Sequence, residues 1–357
     1  MKVVITGSHF SPAYAVIKKS KWKVAVIGRR YALTNSDKES YEYKLCRTKK
    51  IPFLVLDVPR FSRVHPVKSV FSSLSLTKSI VKARKMIKEI NPDAVVSFGG
   101  YTSLPVVIAA SLLRKPVLIH EQTLGAGFAN KIASIFAKKV LLSFSSSRPY
   151  FPKRKIVVTG NPIREDILNK DAKPSVIDTN RPIIYVTGGS TGSAAINDLI
   201  VKILPSLSLY FVIHQRGASE VEIDKKTSDY YSKDYFAPKE VGWIMRNASL
   251  VISRSGINTV TEILYLGVPA IFIPLPYGQK NEQIKNAKYA EKHGRTIYFM
   301  QGKITPEILL KAIRGMIKKG KSKQISEEVI KHEKAADNII NETEKLYKKI
   351  KKGKRQG

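Results

Sequence analysis

RPIIYVTGGSTGSAAINDLI, residues 181–200, decides the fold. Its first half is an apolar, β-branched run that ends at Gly188-Gly189, and its second half carries the apolar spacing of a helix. A plain strand-to-helix turn would use one glycine. Here three glycines and the hydroxyls of Ser190 and Thr191 lie between strand and helix, so the backbone can approach an anion closely and the helix N-terminus can favour its charge. Gly189, Ser190 and Thr191 are therefore candidate phosphate contacts.

The same alternation extends in both directions. Val- and Ile-rich runs at 2–6, 23–27, 94–98, 116–120, 139–143 and 155–159 predict one sheet, and runs at 182–187, 209–214, 249–253, 269–274 and 296–299 predict a second. GNPIREDI, 160–167, and the polar stretch after it read as the connection between them. The expectation is an α/β chain of two doubly wound parallel-sheet domains, 1–162 and 163–335, with a cleft between the carboxyl ends of their strands, followed by a helix and basic tail over 336–357.

Composition sets limits on function. The formal net charge of +34, from 62 Lys plus Arg against 28 Asp plus Glu, points to an anionic neighbour. Residues 60–88 hold eight basic side chains and no acid among apolar ones, and 60–77 read as a surface for anionic lipid. No stretch reaches the roughly 20 apolar residues of a membrane span, and a lone cysteine, Cys46, rules out an internal disulfide. No aromatic-basic strand motif or recognition-helix pattern supports nucleic-acid binding. The scattered histidines and the lack of an Asp-x-Asp motif argue against a catalytic metal, and no cofactor is expected.

A second constellation lies in ASLVISRSGINTVTEILYLGVPAIFIPLPYGQKNEQIKNA, 248–287. A strand ends near Arg254, Ser255-Gly256 turn the chain, and a helix from about Asn258 carries Glu262 before Gly267 stops it. A carboxylate fixed there can accept hydrogen bonds from both hydroxyls of a ribose. Gln283 and Asn286 offer amides, which both donate to and accept from sugar hydroxyls. In the first domain TGSHFSPA, 6–13, joins strand to helix with a single glycine. Alone it reads equally as a nucleotide loop, a catalytic loop or a tight connection.

GGSTGS, the SRSGINTVTEILYLGVPAIFIPLP segment, SFGGYTSLP at 97–105, HEQTLGAGFANKIAS at 120–134 and VVTGNPIRED at 157–166 together resemble the MurG family of GT-B glycosyltransferases, glycosyltransferase family 28. The resemblance covers most of residues 1–300 and implies transfer of GlcNAc from UDP-GlcNAc, with inversion, to the C4 hydroxyl of a polyprenyl-diphosphate-linked muramyl sugar (lipid I). The product would be lipid II, made at the cytoplasmic face of the cell membrane by a peripheral enzyme of peptidoglycan synthesis.

It also implies roles for particular residues. Ser190 and Arg164 would hold the diphosphate, Glu262 the ribose, and Gln283 and Asn286 the GlcNAc. Uracil would be read by backbone groups of FAPKE, 236–240, where Pro238 has no N–H to give. His9, Tyr101, His120, Glu121, Gln122 and Asn130 would line the acceptor side, with His9 the first choice as base and His120 or Glu121 orienting or replacing it. On this reading TGSHFSPA is an acceptor-side catalytic loop, with Ser11 as N-cap and Pro12 as first helical residue. Two other readings share the architecture: a GT-B transferase with another lipid acceptor, and a non-hydrolysing UDP-GlcNAc epimerase.

Overall fold

The computed structural model describes residues 1–31, 39–58, 66–168, 173–174, 177, 179–189, 192–217, 227–276, 281–322 and 325–353, with 66–74 described as backbone only. Ser190, Thr191 and residues 60–65 of the expected lipid surface lie outside them. The chain divides into two compact units, Met1–Pro162 with Lys334–Gly357, and Ile163–Glu333.

Unit 1 begins β1 (Lys2–Thr6), α1 (Phe10–Lys19), β2 (Lys23–Gly28), α2 (Tyr41–Thr48), β3 (Phe53–Val55), α3 (Pro66–Ile90) and β4 (Ala94–Ser97). It continues through α4 (Leu104–Leu112), β5 (Val117–Glu121), α5 (Phe128–Phe136), β6 (Lys139–Leu142) and β7 (Ile156–Val158). The strands form one parallel sheet in the order β3-β2-β1-β4-β5-β6-β7. Chain order reverses between β1 and β4, so the loops after those two strands lie side by side, where α/β sheets hold their ligands.

Unit 2 runs α6 (Glu165–Leu168), β8 (Ile183–Thr187), α7 (Ala194–Ile203), β9 (Phe211–Gln215), β10 (Tyr230–Lys233), α8 (Pro238–Asn247) and β11 (Ala248–Ser253). It ends α9 (Ile257–Leu266), β12 (Ala270–Phe272), α10 (Glu282–His293), β13 (Thr296–Tyr298), α11 (Pro306–Lys319) and α12 (Glu327–Ile330). Its parallel sheet has the order β10-β9-β8-β11-β12-β13, with the reversal between β8 and β11. The glycine loop after β8 thus stands beside the Ser255-Gly256 turn after β11.

Each sheet is buried on both faces. Val4, Val95, Val117 and Ile119 pack to one side of the first sheet, and Val3, Ile5, Val96 and Leu118 to the other. This is why its strands read as unbroken apolar runs instead of alternating ones. The last helix, α13 (Ala335–Gly353), which the sequence reading set apart with the basic tail, packs on unit 1: Ala336 and Ile339 join the cluster of Val3, Ile5 and Phe10.

The start of α1 also differs from the expectation. The helix begins at Phe10 with His9 as N-cap, and Pro12 falls inside the first turn. Proline is tolerated there because the first N–H groups of a helix have no partner within it.

Candidate functional site

In unit 2 the glycines around the β8–β11 reversal do three separate jobs. Gly188 is a packing glycine: a Cβ there would stand 2.3 Å from the Ser193 nitrogen, so the loop folds back on Ser193. Gly192 has φ +75° and would meet the Arg216 carbonyl at 2.5 Å. Gly189 (φ +82°) and Gly256 have no atom of the described residues within 4 Å of a Cβ position. Gly256 caps α9 with an ordinary φ of −63°, so neither its conformation nor packing demands glycine. What the missing side chain leaves open is room for something to come close.

Glu262 is buried at 3% exposure and receives a bidentate hydrogen bond from Arg164, Nε to Oε1 and Nη2 to Oε2, both 2.6 Å. The two residues expected to hold different parts of a nucleotide sugar therefore hold each other. Ser255 donates from Oγ to the Gln283 carbonyl at 2.8 Å, and Asn286 donates from Nδ2 to the Ser255 carbonyl at 3.0 Å. Gln283 Oε1 accepts from the Leu275 N–H. The structure thus gathers Ser255, Gln283 and Asn286 at one turn, and Asn286 Oδ1 is buried with no partner among the described residues.

The loop expected to read uracil is occupied by the protein itself. Phe236 donates its N–H to Gln215 Oε1 and Ala237 donates to Glu240 Oε2, while Pro238 opens α8. Residue-by-residue reading missed the layer beneath the glycine loop. Asn197 donates to the Arg216 carbonyl at 3.1 Å and its Oδ1 accepts from His214 Nε2–H at 3.0 Å, leaving His214 Nδ1 to accept from the Tyr230 hydroxyl at 3.0 Å. Burial, then the Arg216 charge, lowers the His214 pKa from 6.5 to about 3, so the ring is a neutral strut. The available signal was a polar residue inside each of two apolar runs.

In unit 1 the loops after β1 and β4 are locked together. Gly7 has φ +128°, and a Cβ on it would stand 2.8 Å from the Gly99 oxygen; Gly100, at φ +87°, would strike Ser8 Oγ at 2.0 Å. Ser8 donates its N–H to the Gly99 carbonyl at 3.0 Å. His9, part-buried at this junction, lies with Nδ1 3.2 Å from the Phe98 carbonyl. A carbonyl only accepts, so Nδ1 carries the proton and Nε2 of the neutral ring keeps its lone pair.

His120, Glu121, Gln122 and Asn130 also come together, but facing inward. His120 is fully buried; its Nε2–H donates to the Gly160 carbonyl at 3.0 Å and its Nδ1 accepts from Gln122 Nε2 at 2.9 Å. Burial lowers its pKa from 6.5 to about 4, with a smaller contribution from His9 in the same direction. Glu121, 1% exposed, accepts from the N–H and hydroxyl of Thr123, the Gly127 N–H and Asn130 Nδ2, at 2.7–3.0 Å. Four donors saturate this carboxylate and shape the 121–130 loop. Gln122 Oε1 and Asn130 Oδ1 have no partner among the described residues. Tyr101 accepts on its hydroxyl from Arg29 Nη1 at 2.9 Å.

Comparison with known proteins finds two family domains in the same chain order. Residues 3–142 match the glycosyltransferase family 28 N-terminal domain, and 183–343 match the glycosyltransferase family 28 C-terminal domain. A Clostridium perfringens relative named UDP-N-acetylglucosamine--N-acetylmuramyl-(pentapeptide) pyrophosphoryl-undecaprenol N-acetylglucosamine transferase is 32% identical, covering 95% of this chain and 97% of its own. The crystal structure of Acinetobacter baumannii MurG superposes with a TM-score of 0.68 at 26% identity, covering 96% of this chain and 99% of that one. A Neisseria meningitidis UDP-GlcNAc 2-epimerase bound to UDP-GlcNAc shares the fold, with a TM-score of 0.63 at 14% identity, over 97% of this chain and 100% of that one. Two matched domains in the right order, together with a relative of this identity over nearly its whole length, place the chain: it belongs to glycosyltransferase family 28.

Proposed function

We propose that this glycosyltransferase moves GlcNAc from UDP-GlcNAc to the C4 hydroxyl of undecaprenyl-diphospho-MurNAc-peptide, with inversion, to form lipid II for peptidoglycan. The observation that carries the reading is Gly256, a glycine needed neither for backbone geometry nor for packing, beside the open Gly189. It is supported by the transferase name of the 32%-identical relative. The epimerase neighbour, at 14% identity, supports only the shared architecture.

On this reading unit 2 holds the donor. The backbone N–H groups of the glycine loop and the N-terminus of α7 take the diphosphate, joined by Ser190 and Thr191. Arg164 exchanges its bond to Glu262 for the phosphate oxygens, releasing the carboxylate to the ribose hydroxyls, while Gln283 and Asn286 take the sugar. Arg164 and the loop then stabilise the charge that grows as UDP departs.

Unit 1 holds the acceptor. The proton of the C4 hydroxyl passes to His9 Nε2, whose partner nitrogen is fixed by the Phe98 carbonyl. His120 and Glu121, buried and fully engaged, position the loops and do not take the proton. Tyr101, Gln122 and Asn130 complete the acceptor side. Among the described residues no helix is long and apolar enough to cross a membrane, so we propose that the enzyme meets its lipid substrate peripherally, through residues 60–77 at the cytoplasmic face.

The test is release of UDP from UDP-GlcNAc by the purified chain, with and without a lipid I analogue. Release should require the analogue. His9→Ala should lower kcat by roughly two to four orders of magnitude, whereas Glu262→Ala should mainly raise KM for UDP-GlcNAc. Formation of an epimerised UDP-sugar without acceptor would overturn the proposal.

A further inference from the structure

Arg254 lies one residue before the Ser255-Gly256 turn and is 8% exposed. Its guanidinium ties together three other segments. Nη2 donates to Ser193 Oγ and to Gln301 Oε1, both at 2.7 Å, and Nη1 donates to the carbonyls of Ile273 at 2.9 Å and Pro274 at 3.3 Å. Nε has no partner among the described residues.

All four acceptors are neutral. Arg164 and Arg216, the neighbouring site arginines, each pair with a carboxylate, Glu262 and Asp234; among the described residues Arg254 does not. Burying a cation without a counter-charge is costly, and that burial pulls the Arg254 pKa below its ordinary value. The cost falls when negative charge arrives nearby.

The place where it would arrive is set by Ser193. This residue caps α7, accepting from the Ile196 N–H at 3.4 Å, and Gly188 folds directly onto it. By gripping Ser193 Oγ, Arg254 fixes the closing end of the glycine loop and the start of a ten-residue helix whose dipole is also positive at that end.

We infer that Arg254 is a positioning residue for the donor diphosphate: it holds the glycine loop in register through Ser193 and lends it an unneutralised positive charge, without itself touching the ligand. The inference rests on the proposed donor site in unit 2. Geometry and charge can be separated, because Arg254→Lys keeps the charge but cannot bridge three segments, whereas Arg254→Met loses both.

The experiment is calorimetric titration of the full chain and its variants with UDP and with uridine at several salt concentrations. Arg254→Met should lose roughly ten- to hundredfold in UDP affinity, with uridine affinity held within about twofold and a shallower salt dependence for UDP. Arg254→Lys should recover the salt dependence but only part of the affinity. Ser193→Ala, which cuts the link at its far end, should weaken UDP in the same selective way and serves if Arg254→Met does not fold. Unchanged UDP affinity in Ser193→Ala or a folded Arg254→Met overturns the inference, as do equal losses for UDP and uridine. A wild-type chain that binds neither ligand overturns the donor site itself, a result distinct from either.

Discussion

Glycines that look alike in the sequence have opposite meanings in the fold. Gly7 serves the protein: its φ of +128° and the 2.8 Å approach to the backbone of Phe98 and Gly99 leave no room for a side chain. Gly256 has an ordinary φ and an empty Cβ position. Gly7→Ala should therefore cost about 1–3 kcal/mol of stability, and Gly256→Ala less than about 1 kcal/mol, the usual scale of a changed cap. Donor affinity should respond in the reverse order, with Gly256→Ala weakening UDP roughly ten- to hundredfold if a methyl group there costs the ligand about 1–3 kcal/mol of overlap. Thermal melts and UDP titration of the two variants check this directly; a Gly256→Ala protein that binds UDP normally would mean the open space is not where the ligand goes. The chemistry of His9, Arg164 and Glu262 was legible as residue type and loop position. That Arg164 and Glu262 pair with each other, 98 residues apart, was not, because no local pattern encodes which distant partner satisfies a buried carboxylate.

At the scale of elements, the central strands were legible and the edges only in part. Strands such as β5 and β11, buried on both faces, are runs of apolar residues that no helix period explains. The two missed strands, β3 and β10, are edge strands of three and four residues; the other two edges, β7 and β13, fall within the runs read at 155–159 and 296–299, whereas β10 carries half its length as tyrosines and ends in Ser-Lys. Inside two well-read strands sit the buried histidines His120 and His214, and these make the strands sensitive to pH. The unfolded chain protonates them near 6.5, while the folded protein resists until about 4 and about 3. Unfolded protein therefore binds more protons below 6.5, so their contribution is intact above that pH and is lost as pH falls from 6.5 to about 4 for His120 and to about 3 for His214. The two shifts together amount to several kcal/mol. Denaturant melts between pH 7 and pH 4.5 should show a steep loss of stability, less steep in His214→Gln, whose amide does not titrate. An unchanged slope in that variant would mean the ring is not held neutral.

At the scale of the molecule, the chain returns to its first unit after completing the second, and α13 closes the unit that β1 opened. Two kinds of contact attach it. Ionic and polar contacts join Lys19 to Asp337 at 2.6 Å, Lys139 to Glu342, and the Trp22 indole N–H to Glu344 at 3.0 Å. The apolar contact is Ile339, with no exposed surface, packed in the cluster of Val3, Ile5, Phe10 and Val96. Magnitudes decide between them. An exposed pair such as Lys19–Asp337, with both side chains more than 40% accessible, is worth about 0–1 kcal/mol and is screened by salt, whereas emptying a fully buried Ile site costs about 2–5 kcal/mol. The chain has two tryptophans, and they fall one to each unit, Trp22 and Trp243. In a Trp243→Phe background, Trp22 fluorescence therefore reports on unit 1 and on the α13 contact alone. Ile339→Ala should lower the unfolding midpoint read by Trp22 by several degrees, while Lys19→Met should shift it by no more than a degree or two. Added salt should leave the Ile339→Ala deficit in place, since nothing in that loss is electrostatic. If Lys19→Met proved the more damaging change, the helix would be held by charge, and the basic chain would depend on its few acids for closure of the first unit.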